Sequence, residues 1–258
     1  MNRGMLLLAI VGLVSSSVLG AGLLYPLDGT YTLVDFYGDG ATGFGSAGPD
    51  QRNDDDSATV NLGFEFCFYG TNYNQLYVNN NGNLSFGTYF SAFTSTGFPV
   101  SNYPMIAPFW ADVDTRNAAS GQAWQKLLDS NGDSSIDTLV VTWDAVGYYG
   151  NRADKLNTFQ VAISDGTNPV IGAGNNIAFS YGDMQWTTGD ASSGSNGFGG
   201  TAATVGANKG DGTDFFQIGR FDHEGTDYDG SGGSNDGVSW LDDQTFFFNV
   251  CGAMNQAP

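Results

Sequence analysis

Residues 60–68 read Val-Asn-Leu-Gly-Phe-Glu-Phe-Cys-Phe, a run in which every second side chain is large and apolar. Side chains on a β-strand alternate between its two faces, so this period of two predicts a strand with one buried face. The same alternation recurs at residues 139–143, 159–163, 177–181 and 246–250. The chain is therefore expected to be all-β, an antiparallel β-sandwich with long loops rich in Gly, Asp and Asn.

A β-hairpin is predicted over residues 76–86, Leu-Tyr-Val-Asn-Asn-Asn-Gly-Asn-Leu-Ser-Phe. A two-residue loop would pair Val78 with Ser85, whereas a three-residue loop that ends at Gly82 would pair Val78 with Leu84. The second register collects the apolar side chains on one face, so it is favoured, with Gly82 in the left-handed conformation. Elsewhere only residues 118–128 are a candidate for a short helix.

The first twenty residues have the pattern of a secretory signal peptide. A basic start precedes an apolar run over residues 4–14, and the small residues that follow allow cleavage after Gly20. A membrane anchor is the alternative, but the run is shorter than the roughly 20 residues that a span needs. The expected mature chain, residues 21–258, is then one domain without a membrane span, secreted to the extracellular space or the cell surface.

The charge of the chain restricts its partners. The formal net charge is −19, and only Glu65 and Glu224 of the 27 acidic residues are glutamate. Aspartate favours turns, caps and metal-binding loops, and the 38 glycines likewise favour turns. Nucleic acid is excluded as a partner because its phosphates would be repelled.

The two cysteines, Cys67 and Cys251, most simply form one disulfide in an exported chain. A metal site would require further ligands nearby. The bridge would close nearly the whole domain, which chain-entropy arguments value at roughly 5 kcal/mol of stability.

Residues 129–137, Asp-Ser-Asn-Gly-Asp-Ser-Ser-Ile-Asp, form the strongest metal-binding motif in the sequence. Oxygen ligands at alternating positions can wrap a hard cation such as calcium. Ser134 and Val140 stand where an EF-hand has Gly and Glu, so the segment is a partial loop, and a plain Asp/Asn turn is the alternative. The candidate ligands are Asp129, Asn131, Asp133, Ser135 and Asp137.

Other aspartates give further candidates for a metal or a catalytic site. A second acidic loop offers Asp227, Asp229, Ser231 and Asp236 as ligands. Residues 54–56 are three consecutive aspartates, for which a solvated turn is expected. Asp112 and Asp114 share one strand face, so they could bind a metal or act as acid and base, although a structural role is favoured.

Four segments, taken in order, resemble the nidogen-like (NIDO) extracellular domain in its bacterial form. They are residues 77–86, 104–114, 141–149 continued by 157–161, and 185–190. The resemblance implies an extracellular module associated with cell–matrix adhesion, without enzymatic activity, and implies a matrix or cell-surface protein or glycan as partner. Bacterial versions often carry a C-terminal sorting tail, and no such anchor is expected here beyond Cys251.

Two other functions remain open from the residues alone. A calcium-dependent carbohydrate-binding module could use Trp110, Trp186 or Trp240 as stacking platforms, although core positions are expected for these side chains. A secreted hydrolase could use aspartate pairs or the single histidine, His223.

Overall fold

The computed structural model describes residues 22–38, 41–43 and 45–252, so the expected signal peptide lies outside the described residues. The described chain forms strands and two single-turn 3₁₀ segments, Asp190–Ser192 and Val238–Leu241, and contains no α-helix. In that part of the chain, no helix is long and apolar enough to span a membrane. The strands are β1 (Thr32–Leu33), β2 (Ser57–Phe68), β3 (Thr71–Asn79), β4 (Asn83–Ser85), β5 (Met105–Trp110), β6 (Gln122–Leu128), β7 (Thr138–Tyr148), β8 (Arg152–Ser164), β9 (Ile177–Met184), β10 (Ala203–Asn208), β11 (Phe215–His223), β12 (Asp236–Gly237) and β13 (Thr245–Phe248).

The strands build two sheets, which confirms the predicted all-β sandwich. One sheet has six strands in the order β1-β6-β7-β8-β9-β13, and the other has seven in the order β12-β11-β10-β5-β4-β3-β2. Neighbouring strands are antiparallel except for the short parallel pair of β11 and β12. Consecutive strands are mostly neighbours, which is the usual result of hairpin connections.

Apolar side chains fill three layers. The facing sides of the sheets form the central core, where Trp143 stacks on Phe159 with ring centroids 5.1 Å apart. Tyr31 and Ile171 pack with small residues of the six-stranded sheet in a second cluster. In a third cluster, the long β4–β5 connection places Phe90 against Trp110 of the seven-stranded sheet. Both sheets are thus partly covered on their outer faces as well.

The β3–β4 hairpin has the register favoured from the sequence. Val78 pairs with Leu84, and Gly82 has a φ of +74°. A Cβ atom at position 82 would lie 2.0 Å from the carbonyl oxygen of Phe109, so the turn also packs closely against the end of β5. Glycine is therefore required there by conformation and by space.

The short helix considered for residues 118–128 is wrong, because this region forms strand β6. Gln122–Leu128 pairs with β7 along its whole length, and β1 pairs with its other edge. Ala123 enters the central core while Trp124 joins the outer cluster, which is the alternation of a strand. Local helix propensity is weak, and pairing with a long neighbouring strand overrides it.

The Cys67–Cys251 disulfide is formed, with Cα atoms 4.9 Å apart. It joins the end of β2 to the segment after β13, and the side chain of Asn176 donates a hydrogen bond of 2.8 Å to the carbonyl of Cys67. The β6–β7 loop, residues 129–137, lies at this same end of the sandwich, and Ile136 packs beside Gly63 of β2. We call it the disulfide end. The opposite end, where β2 begins and β5 finishes, is the aspartate end.

Candidate functional site

Three carboxylates meet at the aspartate end of the sandwich. Asp54 and Asp55 immediately precede β2, and Asp112 follows β5. One oxygen of each side chain lies within 4.8 Å of the others, and no other three acidic, cysteine or histidine side chains of the described residues meet this closely. We call these three residues the carboxylate cluster.

The solvated turn expected for residues 54–56 is wrong, because this segment is packed against the protein. Asp54 and Asp56 are each 3% exposed, and Asp55 is half-buried. The side chain of Asn53 accepts hydrogen bonds from the backbone N–H groups of Asp54 and Asp56 at 2.6 and 3.2 Å. This local capping holds the turn in place, and a backbone bridge from Asp54 to Asp114 fixes it beside the end of β5.

Asn81 links the two halves of the cluster. Its side chain is buried, donates to Asp55 Oδ1 at 2.7 Å and accepts from the backbone N–H of Val113 at 3.0 Å. One amide therefore orients Asp55 and positions the segment that carries Asp112. From the sequence, Asn81 is explained only as a residue of the hairpin turn, and its hydrogen bonds to Asp55 and Val113 are missed.

Asp114 has the structural role favoured for it. Its carboxylate is fully buried and accepts a two-pronged contact from Arg116, with Nε–Oδ1 at 2.9 Å and Nη2–Oδ2 at 2.7 Å. The same Nη2 reaches Asp54 Oδ2 at 2.8 Å. Arg116 thus satisfies Asp114 and one oxygen of Asp54.

Asp112 is different, since none of the described residues donates a hydrogen bond to either of its carboxylate oxygens. The residue is 1% exposed, and Asp54 Oδ1 is also buried and without a partner among those residues. Burial, together with the negative charges of Asp54, Asp55 and Asp114, raises the pKa of Asp112 to about 8. Burial first, and then the charges of Asp55 and Asp114, raise the pKa of Asp54 to about 7 against the opposing effect of Arg116.

The backbone at Gly189 closes the site from the side of the β9–β10 connection. A Cβ atom at this position would lie 2.4 Å from Asp112 Oδ2 and 2.7 Å from the Cβ atom of Tyr149. Glycine therefore allows the loop to cover Asp112 without a clash. The carboxylate is enclosed by protein instead of facing solvent.

The predicted calcium loop at residues 129–137 is exposed except at the half-buried Ser130 and the buried Asp137. Its carboxylates cap backbone N–H groups of the loop: Asp129 accepts from Gly132 at 2.7 Å and from Ser134 at 2.8 Å, and Asp133 accepts from Ser135 at 2.8 Å. Its three aspartates are not brought together as those of the carboxylate cluster are. The calcium site proposed from the sequence stays a prediction.

Asp137 is turned into the base of that loop. Burial alone would raise its pKa, but hydrogen bonds from Thr138, Ser130 and Asn131 outweigh burial and hold the pKa below its usual value. The Thr138 and Ser130 hydroxyls donate at 2.5 and 2.7 Å. These contacts make a complete turn with its carboxylate satisfied.

The second acidic loop is likewise held by its own contacts. Asp236 is fully buried and accepts from the backbone N–H groups of Asp229 and Arg220, each at 2.9 Å. The exposed Asp227 lies 3.1 Å from His223 Nε2, and the carbonyl of Ser231 accepts from Gln217. The metal site expected in this loop stays a prediction.

The tryptophans considered for sugar stacking and the histidine considered for catalysis make other contacts. Trp110 and Trp186 are 1% and 0% exposed, so they are core side chains, as expected. Trp240 is half-buried beneath Tyr228, with ring centroids 3.7 Å apart. Both ring nitrogens of His223 contact aspartates: Nδ1 lies 2.6 Å from Asp222 and Nε2 lies 3.1 Å from Asp227. This histidine is therefore not aligned on a serine as a triad would require.

Comparison with known proteins agrees with this architecture. The model of the nidogen-like domain matches residues 74–232, more than half of the chain, and the chain belongs to that family. α-Tectorin of Mus musculus is 34% identical over 189 residues, which cover 64% of this chain and 8% of that protein. Nidogen of Drosophila melanogaster is 32% identical over 159 residues, covering 52% of this chain and 11% of that protein.

Dendrite extension defective protein 1 of Caenorhabditis elegans is 26% identical over 178 residues, or 62% of this chain and 14% of that protein. The matched region is thus a small part of each of these long relatives. They are animal proteins, so the bacterial form expected from the sequence is not supported. No solved structure gives a significant match.

Proposed function

We propose that this chain is a secreted extracellular matrix module that acts by binding a matrix or cell-surface protein, as in cell–matrix adhesion. Membership of the nidogen-like family carries the proposal. α-Tectorin and nidogen are extracellular matrix proteins, and homology to them supports an extracellular location. The disulfide agrees with an oxidising compartment.

The geometry favours binding over catalysis. Carboxylates with raised pKa values often mark active sites, but Asp54 and Asp112 are 3% and 1% exposed, so a substrate has no access to them. Two shallow, open depressions are lined by other residues, one around Phe64 and Asn74 and one around Tyr37 and Asp50. Neither contains the carboxylate cluster.

The charge of the surface favours a basic partner. Every lysine and arginine of the described residues is already engaged within the protein. Lys126, Lys155, Lys209, Arg116 and Arg152 pair with aspartates, while Arg52 and Arg220 donate to backbone carbonyls. An approaching molecule therefore meets an excess of negative charge, since the formal net charge of the chain is −19. Such a field speeds association with basic surfaces and repels anionic ones.

A surface-binding experiment tests the proposal. The purified chain is immobilised and exposed to a panel of matrix proteins, to intact cells, to itself and to a glycan array, at 50 and 500 mM salt. We expect saturable binding to a basic protein or cell surface that weakens at high salt. Binding to none of these, or turnover in a glycosidase and esterase screen, would contradict the proposal. Binding to neutral glycans alone would instead favour the carbohydrate-binding alternative.

A further inference from the structure

We propose that the carboxylate cluster binds one Ca²⁺ ion, with Asp54, Asp55 and Asp112 as ligands. The ion would tie the segment before β2 to the segment after β5 at the aspartate end. This site is distinct from the loop at residues 129–137 that the spacing of aspartates suggested, and it does not depend on the identity of any adhesion partner.

Three oxygens of the carboxylate cluster lack hydrogen-bond partners among the described residues. Both carboxylate oxygens of Asp112 and Oδ1 of Asp54 are buried, and none of the described residues forms a hydrogen bond with them. A buried carboxylate without a partner costs several kcal/mol. Protonation would remove the charge, but the remaining acceptor oxygen would still have no donor among those residues. A cation satisfies the oxygens and the charge together.

The oxygens of the carboxylate cluster are spaced closely enough for one calcium ion. One oxygen from each of the three side chains lies within 4.8 Å of the other two. Calcium binds oxygen at 2.3–2.6 Å, so two of its ligands lie at most roughly 5 Å apart. The three oxygens can therefore contact a single calcium ion after small side-chain adjustments. Magnesium, with ligands at about 2.1 Å, would require a tighter arrangement.

The local charge at the aspartate end is negative. Asp54, Asp55 and Asp112 lie together beside Asp114, and Arg116 is the cation that faces them. The guanidinium is already engaged by Asp114 and by one oxygen of Asp54. A divalent ion would balance most of the remaining negative charge. Because all ligands are oxygen atoms, a hard cation fits better than zinc or copper.

The surroundings of the cluster are built to hold it. Asn81 fixes Asp55 through its amide nitrogen, and Gly189 lets the covering loop lie against Asp112. Rigid support of the ligands by neighbouring groups is typical of metal sites. Gly189→Ala would push a methyl group toward Asp112 Oδ2, so we expect this variant to bind calcium more weakly.

Thermal unfolding at pH 7.5, in 2 mM calcium and in chelator, tests the site. For the wild-type protein we expect calcium to raise the Tm by about 3–8 °C, with one ion bound in isothermal titration calorimetry. Asp112→Asn should lose this response because it removes one carboxylate ligand. In chelator it should melt at or above the wild-type temperature, because any charge on Asp112 is unpaired when no ion is bound. The control, Asp129→Asn with Asp133→Asn, should respond as the wild type does.

Other outcomes would overturn the proposal. If calcium neither binds nor raises the Tm of the wild type, the site does not exist. If Asp112→Asn keeps the response and the control loses it, the exposed loop is the calcium site. Should Asp112→Asn fail to fold, the half-buried Asp55→Asn variant decides, since loss of the bound ion in calorimetry supports the cluster and unchanged binding rejects it.

Discussion

The two ends of the sandwich carry aspartate-rich segments of similar composition and opposite chemistry. At the disulfide end, Asp129 and Asp133 are exposed and accept hydrogen bonds from backbone N–H groups of their own loop. At the aspartate end, Asp112 is buried, and none of the described residues hydrogen-bonds to its carboxylate. The loop carboxylates are exposed to solvent and bonded to the backbone, whereas the cluster lacks comparable partners. Composition and spacing alone therefore do not distinguish a turn from an ion site.

The disulfide gives the largest expected effect and tests whether the ends are independent. Cys67→Ser with Cys251→Ser removes a cross-link between residues 184 apart in sequence and should lower the free energy of unfolding by about 2–5 kcal/mol. Urea unfolding measures this loss. Since the carboxylate cluster lies at the other end, the rise in Tm with calcium should persist in the double variant. Loss of that rise under conditions where the variant is folded would show that the ends are coupled.

Arg116 gives the next largest effect, and it concerns the aspartate end alone. Arg116→Gln leaves Asp114 and one oxygen of Asp54 buried without their cation, which should cost about 3 kcal/mol in chelator. The control is Arg152→Gln, whose pair with Asp190 is exposed and should contribute less than about 1 kcal/mol. Urea unfolding of both variants checks the difference. Equal losses in the free energy of unfolding would mean that the buried Arg116 pairs stabilise the protein no more than an exposed ion pair does.

The pH dependence of stability is a smaller effect for each pH unit. The carboxylates of Asp112 and Asp54, which face Asp55, Asp114 and Arg116, have folded-state pKa values of about 8 and about 7. Their unfolded value is about 3.9, so between these limits the folded state holds more protons than the unfolded state. Stability in chelator should therefore fall as pH rises from 5 to 8, by up to about 1.4 kcal/mol per pH unit for each proton.

Urea unfolding at pH 5, 6, 7 and 8 checks this slope. Asp112→Asn should flatten it, because the group that loses its proton is gone. The double variant of the exposed loop, Asp129→Asn with Asp133→Asn, should leave it unchanged. A slope that is the same in all three proteins would assign the effect to other carboxylates.

Most of the fold could be predicted from the sequence because its signals are local. Alternating apolar residues predict strands in β2, β7, β8 and β9. The hairpin register is predicted because pairing Val78 with Leu84 places the apolar side chains on one face. Strand β6 was missed because residues 122–128 do not alternate cleanly. That segment becomes a strand through its pairing with β7, which is not visible in its own residues.

The candidate site was harder to predict for the same reason. Asp54 and Asp55 are far from Asp112 in the sequence, and only the folding of β2, β3 and β5 into one sheet brings the three together. Consecutive aspartates are usually solvated, so residues 54–56 looked like a surface turn. Asn81 gave no signal either, because Asn in a hairpin turn is already explained by its backbone preference.

Anomalous X-ray diffraction tests the central claim most directly. Crystals of the chain are grown in chelator and soaked with terbium, a trivalent ion that occupies oxygen-lined calcium sites, and the anomalous peaks are located. We predict one strong peak between the carboxylates of Asp54, Asp55 and Asp112, which disappears when the soak also contains a large excess of calcium. A peak only in the loop at residues 129–137, or no peak at the carboxylate cluster, would contradict it.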